Sequence, residues 1–401
     1  MLQNAVGIVS EFNPFHYGHR YLMEKTREQF GENTGIVCVM SGDFVQRGEA
    51  ACFSKYARAE AACRSGADLV VELPLPWSSS SAETFASGAL SILNGLGGIS
   101  AISFGSECGD VGKINMTAEA LLSSEMEQAL QEQLLLDKNY ARARQTALAS
   151  ISEDLAAILD SPNNILAVEY AKAILKRDMK LSLFTVSRAG AEHDSYCDET
   201  IRSAKEIREM LDHRLTDGDW ADHVPKQAAE VYLREIRHGR GPINTESLEC
   251  AILSRLRLLT LNDIMCLPET EGGMGELFYR SIQSTGDLQE LLQSIKHKSI
   301  ALSRVRRLVI AAALGIHRDM TQKEPEYIRV LALNEKGRQI LHESEPTIPV
   351  ITKTAHLQRE EHPGRDLFEL GSRAHDLYVL GYRDSSQRIC GEDWRTGPSV
   401  V

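Results

Sequence analysis

Two histidines near the start of the chain have the residue type and spacing to bind a phosphate. They stand in the stretch Ala5 to Arg20, AVGIVSEFNPFHYGHR, where an apolar run leads through a polar loop to His16, Gly18 and His19. A helix-compatible segment, Tyr21 to Gln29, follows. This order predicts a strand, a loop and a helix N-terminus, where backbone N–H groups and the helix dipole favour an anion. Both histidines could then face a triphosphate, with Gly18 leaving room for a base to lie on the backbone.

The H-x-G-H string resembles the signature of the nucleotidylyltransferase and class I synthetase superfamily. Four letters recur by chance, and two histidines satisfied in a core or on a surface remain an alternative. The context favours the functional interpretation, because the string follows the first predicted strand and an Asn13-Pro14 turn and precedes a helix.

Length and composition restrict the class of protein. A chain of 401 residues predicts at least two domains. A hydrophobic content of 43% and a charged content of 25% are typical of a soluble globular protein. No apolar run approaches the ~20 residues of a membrane span, and the first strand leaves no space for a cleavable signal. We therefore expect a cytoplasmic protein with no membrane partner. The net charge of -12 argues against indiscriminate nucleic-acid binding, and eight cysteines without a C-x-x-C pair argue against a zinc site.

Strand and helix patterns alternate along the first hundred residues. Apolar runs at Ile36 to Met40, Asp68 to Leu73 and Ile99 to Phe104 predict strands, and the segments Lys55 to Ser65 and Ala82 to Leu93 between them predict helices. Such alternation predicts an α/β fold with an N-terminal doubly wound parallel sheet.

Ligands of doubly wound sheets bind beyond the carboxyl ends of the strands. This rule selects four loops, which are Ser10 to His16, Ser41 to Gly48, Glu72 to Trp77 and Gly105 to Asp110. In the second, Gln46 and Arg47 could hold a phosphate or a small carboxylate, although a solvated surface loop is the alternative. In the fourth, Gly105 allows close approach by an adenosine, and a plain turn explains it equally well.

Two later segments have polar residues at predicted helix starts. Asn163 and Asn164 follow Ser161-Pro162, where they would either cap the helix or reach a ribose or base. The run Ser203 to Arg208, SAKEIR, resembles the Ser/Thr and I-R turn by which nucleotidylyltransferases grip the β- and γ-phosphates. Any amphipathic helix could also carry it.

Beyond Gly218 the strand patterns fade and helical patterns dominate. We therefore predict an N-terminal domain over residues 1–215 and a mainly helical C-terminal domain over residues 216–401. Two late strands are predicted at Tyr327 to Asn334 and Ile348 to Thr352. The tail after Gly381 is expected to be either poorly ordered or docked on the rest.

A cluster of basic residues stands out in the helical half. The stretch Leu291 to Arg318 contains no Asp or Glu, yet its basic residues are Lys296, His297, Lys298, Arg304, Arg306, Arg307, His317 and Arg318. Such a cluster on an amphipathic helix suits a polyanion. A solvated face paired with acids elsewhere in the fold is the alternative.

Longer runs resemble one particular family. GIVSEFNPFHYGH, SGDFVQRGEAACFSKYARAEAACRSGADLVVELP and FASGALSILNGLGGISAISFGSE look like the bacterial tRNA(Met) cytidine acetate ligase family, and so do SPNNILAVEY, VSRAGAEHD, SAKEIR and SRVRRLVIAAALGI. The resemblance covers nearly the whole chain and implies a Rossmann-like nucleotidylyltransferase sheet. It also implies that ATP activates acetate to acetyl-adenylate and that the acetyl group passes to N4 of the wobble cytidine, in the anticodon loop of elongator methionine tRNA.

The resemblance also assigns residues to roles. The implied ATP contacts are Gly7, Ile8, Val9, Ser10, Glu11, Phe12, Asn13, Pro14, Phe15, His16, Tyr17, Gly18, His19, Arg20, Gly105, Asn163, Arg188 and Ser203. An acetate pocket is expected at Asp43, Gln46 and Arg47, and tRNA binding at Lys296, Lys298, Arg304, Arg306 and Arg307. The sequence departs from the family pattern at Asp43, where asparagine is expected, and at Tyr56, where tryptophan is usual.

The chemistry needs positioning and charge neutralisation, with no covalent nucleophile from the protein. His16 and His19 are expected to donate to phosphate oxygens, and Arg208 to stabilise the leaving pyrophosphate, with Mg²⁺ accompanying ATP. Two other classes stay open, a cofactor-pathway adenylyltransferase and a nucleotide-dependent RNA-binding protein without catalysis. A cofactor-pathway adenylyltransferase would not require the added helices and the basic cluster. A binding protein without catalysis would not require intact phosphate-binding motifs.

Overall fold

Most strands of the protein belong to one large sheet. The computed structural model describes residues 5–136, 139–187, 202–213, 218–296, 300–358 and 362–401. In these ranges eight strands form the large sheet and two form a hairpin. In chain order the strands are β1 Ala5–Ser10, β2 Gly35–Ser41, β3 Phe44–Val45, β4 Glu49–Ala50, β5 Leu69–Leu73, β6 Ile99–Ser106, β7 Ser182–Ser187, β8 Ile328–Leu333, β9 Val350–Ile351 and β10 Ser399–Val400.

The order across the sheet is β10-β8-β5-β2-β1-β6-β7, with β9 also paired to β8. All pairings from β5 to β7 are parallel, and β8 is antiparallel to β5. The chain runs from β1 outward to β2 and β5, and then crosses to β6 and β7 on the other side. The direction therefore reverses beside β1, which makes the β1 end the topological switch point where such sheets bind ligands. The predicted doubly wound parallel sheet is confirmed.

Helices cover the sheet and form the region beyond it. In the described ranges they are α1 Tyr17–Phe30, α2 Lys55–Arg64, α3 Leu75–Ser78, α4 Ala82–Leu96, α5 Val111–Leu121, α6 Ser124–Leu136, α7 Tyr140–Ile151, α8 Glu153–Ile158, α9 Pro162–Arg177, α10 Ala204–His213, α11 Lys226–Arg237, α12 Glu249–Arg257, α13 Leu261–Met265, α14 Met274–Ser284, α15 Leu288–Ile295, α16 Leu302–Leu314, α17 Glu335–Glu343, α18 Arg365–Tyr378 and α19 Glu392–Arg395. None of them is both long enough and apolar enough to cross a membrane.

The central strands are buried on both faces. In β2, Val37 and Val39 belong to a core shared with α4, whereas Ile36, Cys38 and Met40 belong to a core shared with α2. Side chains of a strand alternate between its faces, so an unbroken apolar run is needed where helices cover both. This is why the sequence pattern located the central strands well.

A third core lies among the helices of the second half. Apolar side chains of α12, α14, α15, α16 and α18 form it, and Phe44 and Ala50 of the β3–β4 hairpin join them. The hairpin therefore attaches the loop after β2 to the helical region.

The end of the chain returns to the sheet. Both late strands are confirmed as β8 and β9, and β10 pairs with β8. The tail after Gly381 is docked, because the buried Asp393 carboxylate accepts from Lys55 Nζ and Arg329 Nη1, each at 2.7 Å. The division of the chain at residue 215 stays a prediction, and the sheet draws strands from both sides of it.

Candidate active site

Buried side chains hold the loop between β1 and α1 at the switch point. Phe12 and Phe15 are fully buried, and their ring centroids lie 5.0 Å apart. The Phe15 N–H donates to the Tyr232 hydroxyl at 2.9 Å, and the Asn13 side-chain oxygen accepts from the Cys52 N–H at 2.8 Å. Neighbouring elements therefore fix the path of the loop up to the start of α1.

His16 and His19 cap the N-terminus of α1 reciprocally. The Nδ1 atom of His16 accepts from the Gly18 N–H at 3.0 Å, and the Nδ1 atom of His19 accepts from the His16 N–H at 3.2 Å. Their ring centroids are 3.9 Å apart. This is a capping box, which Ser or Thr usually forms with Glu or Gln three residues later. The spacing of H-x-G-H equals the spacing of that box.

The two caps decide which nitrogen of each ring carries the proton. A ring nitrogen that accepts from a backbone N–H has no proton of its own, so each neutral imidazole carries its proton on Nε2. The start of α1 thus combines two Nε2–H donors with the positive end of a helix dipole. That donor set suits the oxygens of a polyphosphate.

Gly18 is required by the adjacent imidazole. A Cβ atom at this position would lie 2.8 Å from Cε1 and 3.0 Å from Nδ1 of His16. Any side chain would therefore displace His16 from the backbone N–H that it caps. The sequence predicts that this glycine leaves room for a base. In the structure, the glycine also leaves room for the imidazole of His16.

Helix α10 brings Arg208 to the same loop. Arg208 Nη1 donates to the backbone oxygen of Asn13 at 2.7 Å. The preceding Ile207 is fully buried in the cluster that contains Phe12 and Phe15. In the S-x-x-x-I-R pattern, the isoleucine therefore anchors the helix and the arginine reaches the loop.

Ser203 precedes α10 and is exposed. Its hydroxyl and its N–H both donate to the Glu206 carboxylate at 2.8 Å, and the Glu206 N–H donates back to the hydroxyl at 3.3 Å. Ser203 caps α10 in this structure, and its role in phosphate binding stays a prediction.

Glu11 connects the β1–α1 loop to the loop after β2. Its Oε1 atom accepts from the Gln46 N–H at 3.0 Å, and Gln46 Nε2 donates to the Ser80 backbone oxygen at 3.0 Å. Burial raises the pKa of Glu11, while the charges of Arg208 and Arg47 oppose the rise. Gln46 and the exposed Arg47 therefore lie beside the candidate phosphate site.

Asp43 has protein partners on both carboxylate oxygens. It accepts from the Lys55 N–H and from His375 Nδ1, both at 2.8 Å. Burial alone would raise the pKa of Asp43, but His375, Lys55 and Arg58 together lower it. The contact with His375 gives the acid at this position a partner from α18. The place of Asp43 in an acetate pocket stays a prediction, and these contacts do not support it.

The residues expected near adenosine lie on the other side of β1. Glu107 follows β6, which contains Gly105, and its carboxylate accepts from the Asn163 side chain at 2.6 Å and from the Asn164 N–H at 2.9 Å. The Asn164 side-chain oxygen accepts from the N–H groups of Glu107 and Cys108. These bonds join the β6–α5 loop to α9. Sequence reasoning did not identify Glu107, whose carboxylate caps the start of α9.

The other predicted ATP contacts are distributed along β1 and the first turn of α1. Gly7 and Ile8 are buried in β1, and a Cβ on Gly7 would lie 2.5 Å from the Leu93 side chain. Pro14 is buried, and the half-buried residues are Val9, Ser10, Tyr17 and Arg20. Arg188 lies outside the described residues.

Arg58 is the positioning residue that sequence reasoning missed. It is fully buried, and Nη1 donates to the backbone oxygens of Glu11 at 2.5 Å and Ser41 at 3.2 Å. Its other nitrogens donate to the backbone oxygens of Gly42 and Phe53. One guanidinium thus ties the loop after β1 to the loop after β2. The available signal is an arginine within an alanine-rich helix.

The arginines of α16 are paired with acids. Arg307 donates to both carboxylate oxygens of Glu269 at 2.9 Å, and Arg304 Nη2 donates to the Glu269 backbone oxygen at 2.8 Å. Arg306 Nη1 pairs with the Glu49 carboxylate. The sequence left open whether this face is paired with acids, and the structure shows that it is.

The remaining basic residues are more scattered. Lys296 is exposed at the end of α15, and Arg318 Nη1 lies 3.4 Å from the Glu271 carboxylate. His297 and Lys298 lie outside the described residues. The role of this basic cluster in tRNA binding stays a prediction.

The loop after β2 contacts the second turn of α16 directly. A Cβ on Gly48, which has a φ of +72°, would lie 2.3 Å from the Arg307 backbone nitrogen. The candidate phosphate site and the basic helix are therefore joined by the short segment that also contains Gln46.

Comparison with known proteins identifies the family of the chain. Residues 3–393 match the family described as HIGH Nucleotidyl Transferase. The chain belongs to the HIGH nucleotidyltransferase family. The matched range includes the H-x-G-H string, which forms the capping box at the start of α1.

Relatives over the full length narrow the family further. The tRNA(Met) cytidine acetate ligase of Syntrophomonas wolfei is 34% identical over 414 residues, which cover 98% of each chain. That of Thermoanaerobacter sp. strain X514 is 34% identical over 399 residues, covering 97% of this chain and 98% of the relative. The chain is therefore also a member of the tRNA(Met) cytidine acetate ligase family, a family of enzymes.

Solved structures of a relative share the fold. Thermotoga maritima TmcAL bound with alpha-thio ATP is 30% identical, with a TM-score of 0.90 and 99% of both chains covered. The apo form of the same protein has a TM-score of 0.91 over 100% of both chains. The expected fold class and family are confirmed.

Proposed function

We propose that the protein is a ligase that uses ATP to activate acetate and then acetylates N4 of the wobble cytidine of elongator methionine tRNA. The observation that carries the proposal is the start of α1, where His16 and His19 cap each other and Arg208 contacts the same loop. The names of the full-length relatives support it.

In the first step an acetate oxygen attacks the α-phosphorus of ATP. The bond from that phosphorus to the oxygen bridging to the β-phosphate breaks, and pyrophosphate leaves with the electron pair. Charge on the phosphate oxygens must be stabilised throughout. We assign this to the Nε2–H donors of His16 and His19, and the leaving pyrophosphate to Arg208.

Acetate would bind beside the loop after β2. Gln46 and Arg47 lie there, next to Glu11. The carboxyl group of Glu11 lies close to this position, and burial raises its pKa. Arg47 supplies the cation that a small carboxylate requires.

Mg²⁺ would arrive with ATP and neutralise charge on its phosphates. In nucleotide sites this ion keeps several waters and takes most other ligands from the phosphates. Within the described ranges, no group of three or more His, Cys, Asp or Glu side chains is placed to hold a metal ion. The described residues are therefore compatible with an Mg²⁺ ion that is held mainly by the phosphates of ATP.

In the second step the N4 amine attacks the carbonyl carbon of acetyl-adenylate. The bond from that carbon to the phosphate oxygen breaks, AMP leaves with the electron pair, and N4 loses a proton to solvent. A wobble base lies in a single-stranded loop, so unstacking it costs little. We assign residues 216–401 to tRNA binding, with phosphate contacts from Lys296, Lys298, Arg304, Arg306 and Arg307.

Isotope exchange tests the first step. Labelled pyrophosphate should enter ATP only when acetate is present and should not require tRNA. Subsequent incubation of tRNA with ATP and labelled acetate should yield labelled N4-acetylcytidine on nucleoside analysis. Exchange that never depends on acetate would show that the proposed ligase activity is wrong.

A further inference from the structure

A cavity of about 600 Å³ lies between the sheet and the helical region. Its walls come from the segment before α4, the start of α7, the α13–α14 connection and the start of α16. Its volume is within the roughly 300–1,000 Å³ of small-ligand sites. The proposed ATP contacts do not line it.

Two hydrogen bonds connect this cavity to the candidate active site. Ser80 lines the cavity, and its backbone oxygen accepts from Gln46 Nε2. The Gln46 N–H in turn donates to Glu11 of the β1–α1 loop. Ser80 lies in the connection that follows β5, whereas Gly105 and Asn163 belong to β6 and α9. A ligand that reaches the adenylate past Ser80 and Gln46 would therefore approach it from the side opposite to adenosine.

We propose that this cavity binds one unstacked nucleotide of the RNA, the cytidine that accepts the acetyl group. The proposal rests on the proposed function, because it locates the acceptor of the second step. Three features of the wall match the edge of the base, the phosphate and the face of the base.

The first feature is the ion pair of Glu269 with Arg307, supported by Arg304. Cytosine presents an N4–H₂ donor beside its N3 and O2 acceptors, and carboxylates accept from cytosine N4. Each oxygen of Glu269 accepts one bond from Arg307 and keeps a second lone pair. The N4 amine of a cytosine in the cavity could therefore donate to this carboxylate. Uracil has no N4 donor and would face the carboxylate with an oxygen.

The second feature is the start of α16. Its N-cap residue, Ala301, provides no side-chain hydrogen bond to the first turn. Ala301 and Arg304 both line the cavity. Uncapped N–H groups beside a guanidinium suit a nucleotide phosphate.

The third feature is an aromatic side chain on the wall formed by α7. Tyr140, which starts α7, lines the cavity and is 56% exposed, so its ring is available for a base to stack on.

Binding of a matched set of RNA stem-loops tests the proposal. The full chain is titrated, without ATP, with stem-loops that carry cytidine, uridine or an abasic site at the acceptor position. We expect the cytidine RNA to bind roughly 10-fold more tightly than the abasic RNA, which is the scale for stacking of one base. Tyr140→Ala should remove most of this ratio, Tyr140→Phe should keep it, and Leu135→Ala, at an 89% exposed position of α6, should keep it as well.

Several outcomes would overturn the proposal. A cytidine-to-abasic ratio near one in the unmodified protein means that no pocket holds the base. A ratio that survives Tyr140→Ala means that the base lies elsewhere. Equal binding of the uridine and cytidine RNAs would show that Glu269 does not accept a hydrogen bond from cytosine N4. Acetate-dependent pyrophosphate exchange, measured on the same proteins, should stay within twofold in Tyr140→Ala, and its absence from the unmodified protein would instead refute the proposed function.

Discussion

The start of α1 and the first half of α16 both carry nitrogen donors, but they hold them differently. At α1, His16 and His19 are fixed by each other's caps and by a buried loop. At α16, Arg306 is about one-third exposed and pairs with a carboxylate that is also part-exposed. Exposed ion pairs are worth only ~0–1 kcal/mol. An RNA phosphate could therefore replace the Glu49 carboxylate at little cost.

The difference fits two chemical tasks. Charge that develops on a reacting phosphate is best met by donors already in place, because reorganisation would add to the barrier. Phosphates of a large, flexible RNA are better met by cations with exchangeable partners. The first region should therefore govern adenylation and the second should govern RNA affinity.

The largest effect should come from His19. His19→Ala removes an Nε2–H donor and should lower acetate-dependent pyrophosphate exchange by ~10²-fold or more, the scale for one preorganised donor. It also removes an acceptor from the capping box, which should cost ~0.5–2 kcal/mol of stability.

His19→Asn separates these two losses. Its side-chain oxygen can still accept from the His16 N–H, while the Nε2–H donor is gone. We expect stability near that of the unmodified protein in thermal unfolding, with exchange as low as in His19→Ala. Normal exchange in the asparagine variant would assign His19 to capping alone.

A smaller effect is expected from the arginine face. Arg306→Gln should weaken tRNA binding several-fold and reduce the salt slope of log K by about 1, while exchange stays unchanged. Glu49→Gln is the matched control, because it frees Arg306 from its partner and should leave tRNA binding equal or tighter. If neither variant alters tRNA affinity or its salt slope, Arg306 serves only the ion pair.

The smallest effect concerns His375, which joins the loop after β2 to the tail. Burial opposes its charge, but Asp43 and Glu392 raise the pKa of His375 from 6.5 to about 10. Its contribution to stability is therefore complete below pH 6.5 and is lost as the pH rises through about 10. The difference in melting temperature between the unmodified protein and His375→Gln should shrink from pH 7 to pH 10. A constant difference over that range would show that His375 is neutral in the folded protein.

Elements with strong local patterns could be predicted from the sequence. The central strands were located within a residue or two, because burial on both faces leaves unbroken apolar runs. Helix α2 was predicted at Lys55 to Ser65 and spans Lys55–Arg64. The tail was not predicted in this way, since β10 has two residues and its pairing depends on β8.

The site was predictable only in part. H-x-G-H and S-x-x-x-I-R are local strings, and the structure brings His16, His19 and Arg208 to one loop. Arg58 stands out in the sequence only as an arginine within an alanine-rich helix, and its role could not be predicted because its partners are backbone oxygens of two distant loops.

The sequence by itself determined the doubly wound sheet and the family, and it located the H-x-G-H and S-x-x-x-I-R strings, since each rests on short-range order along the chain. Only the tertiary structure decided the partner of Asp43, which lies 332 residues away at His375, and the pairing of Arg307 with Glu269. Side-chain charge alone does not say which opposite charge will be near. The partner depends on which side chains the fold brings together. The fold therefore decides whether a cationic side chain lies in the core, in a surface ion pair or in a binding site.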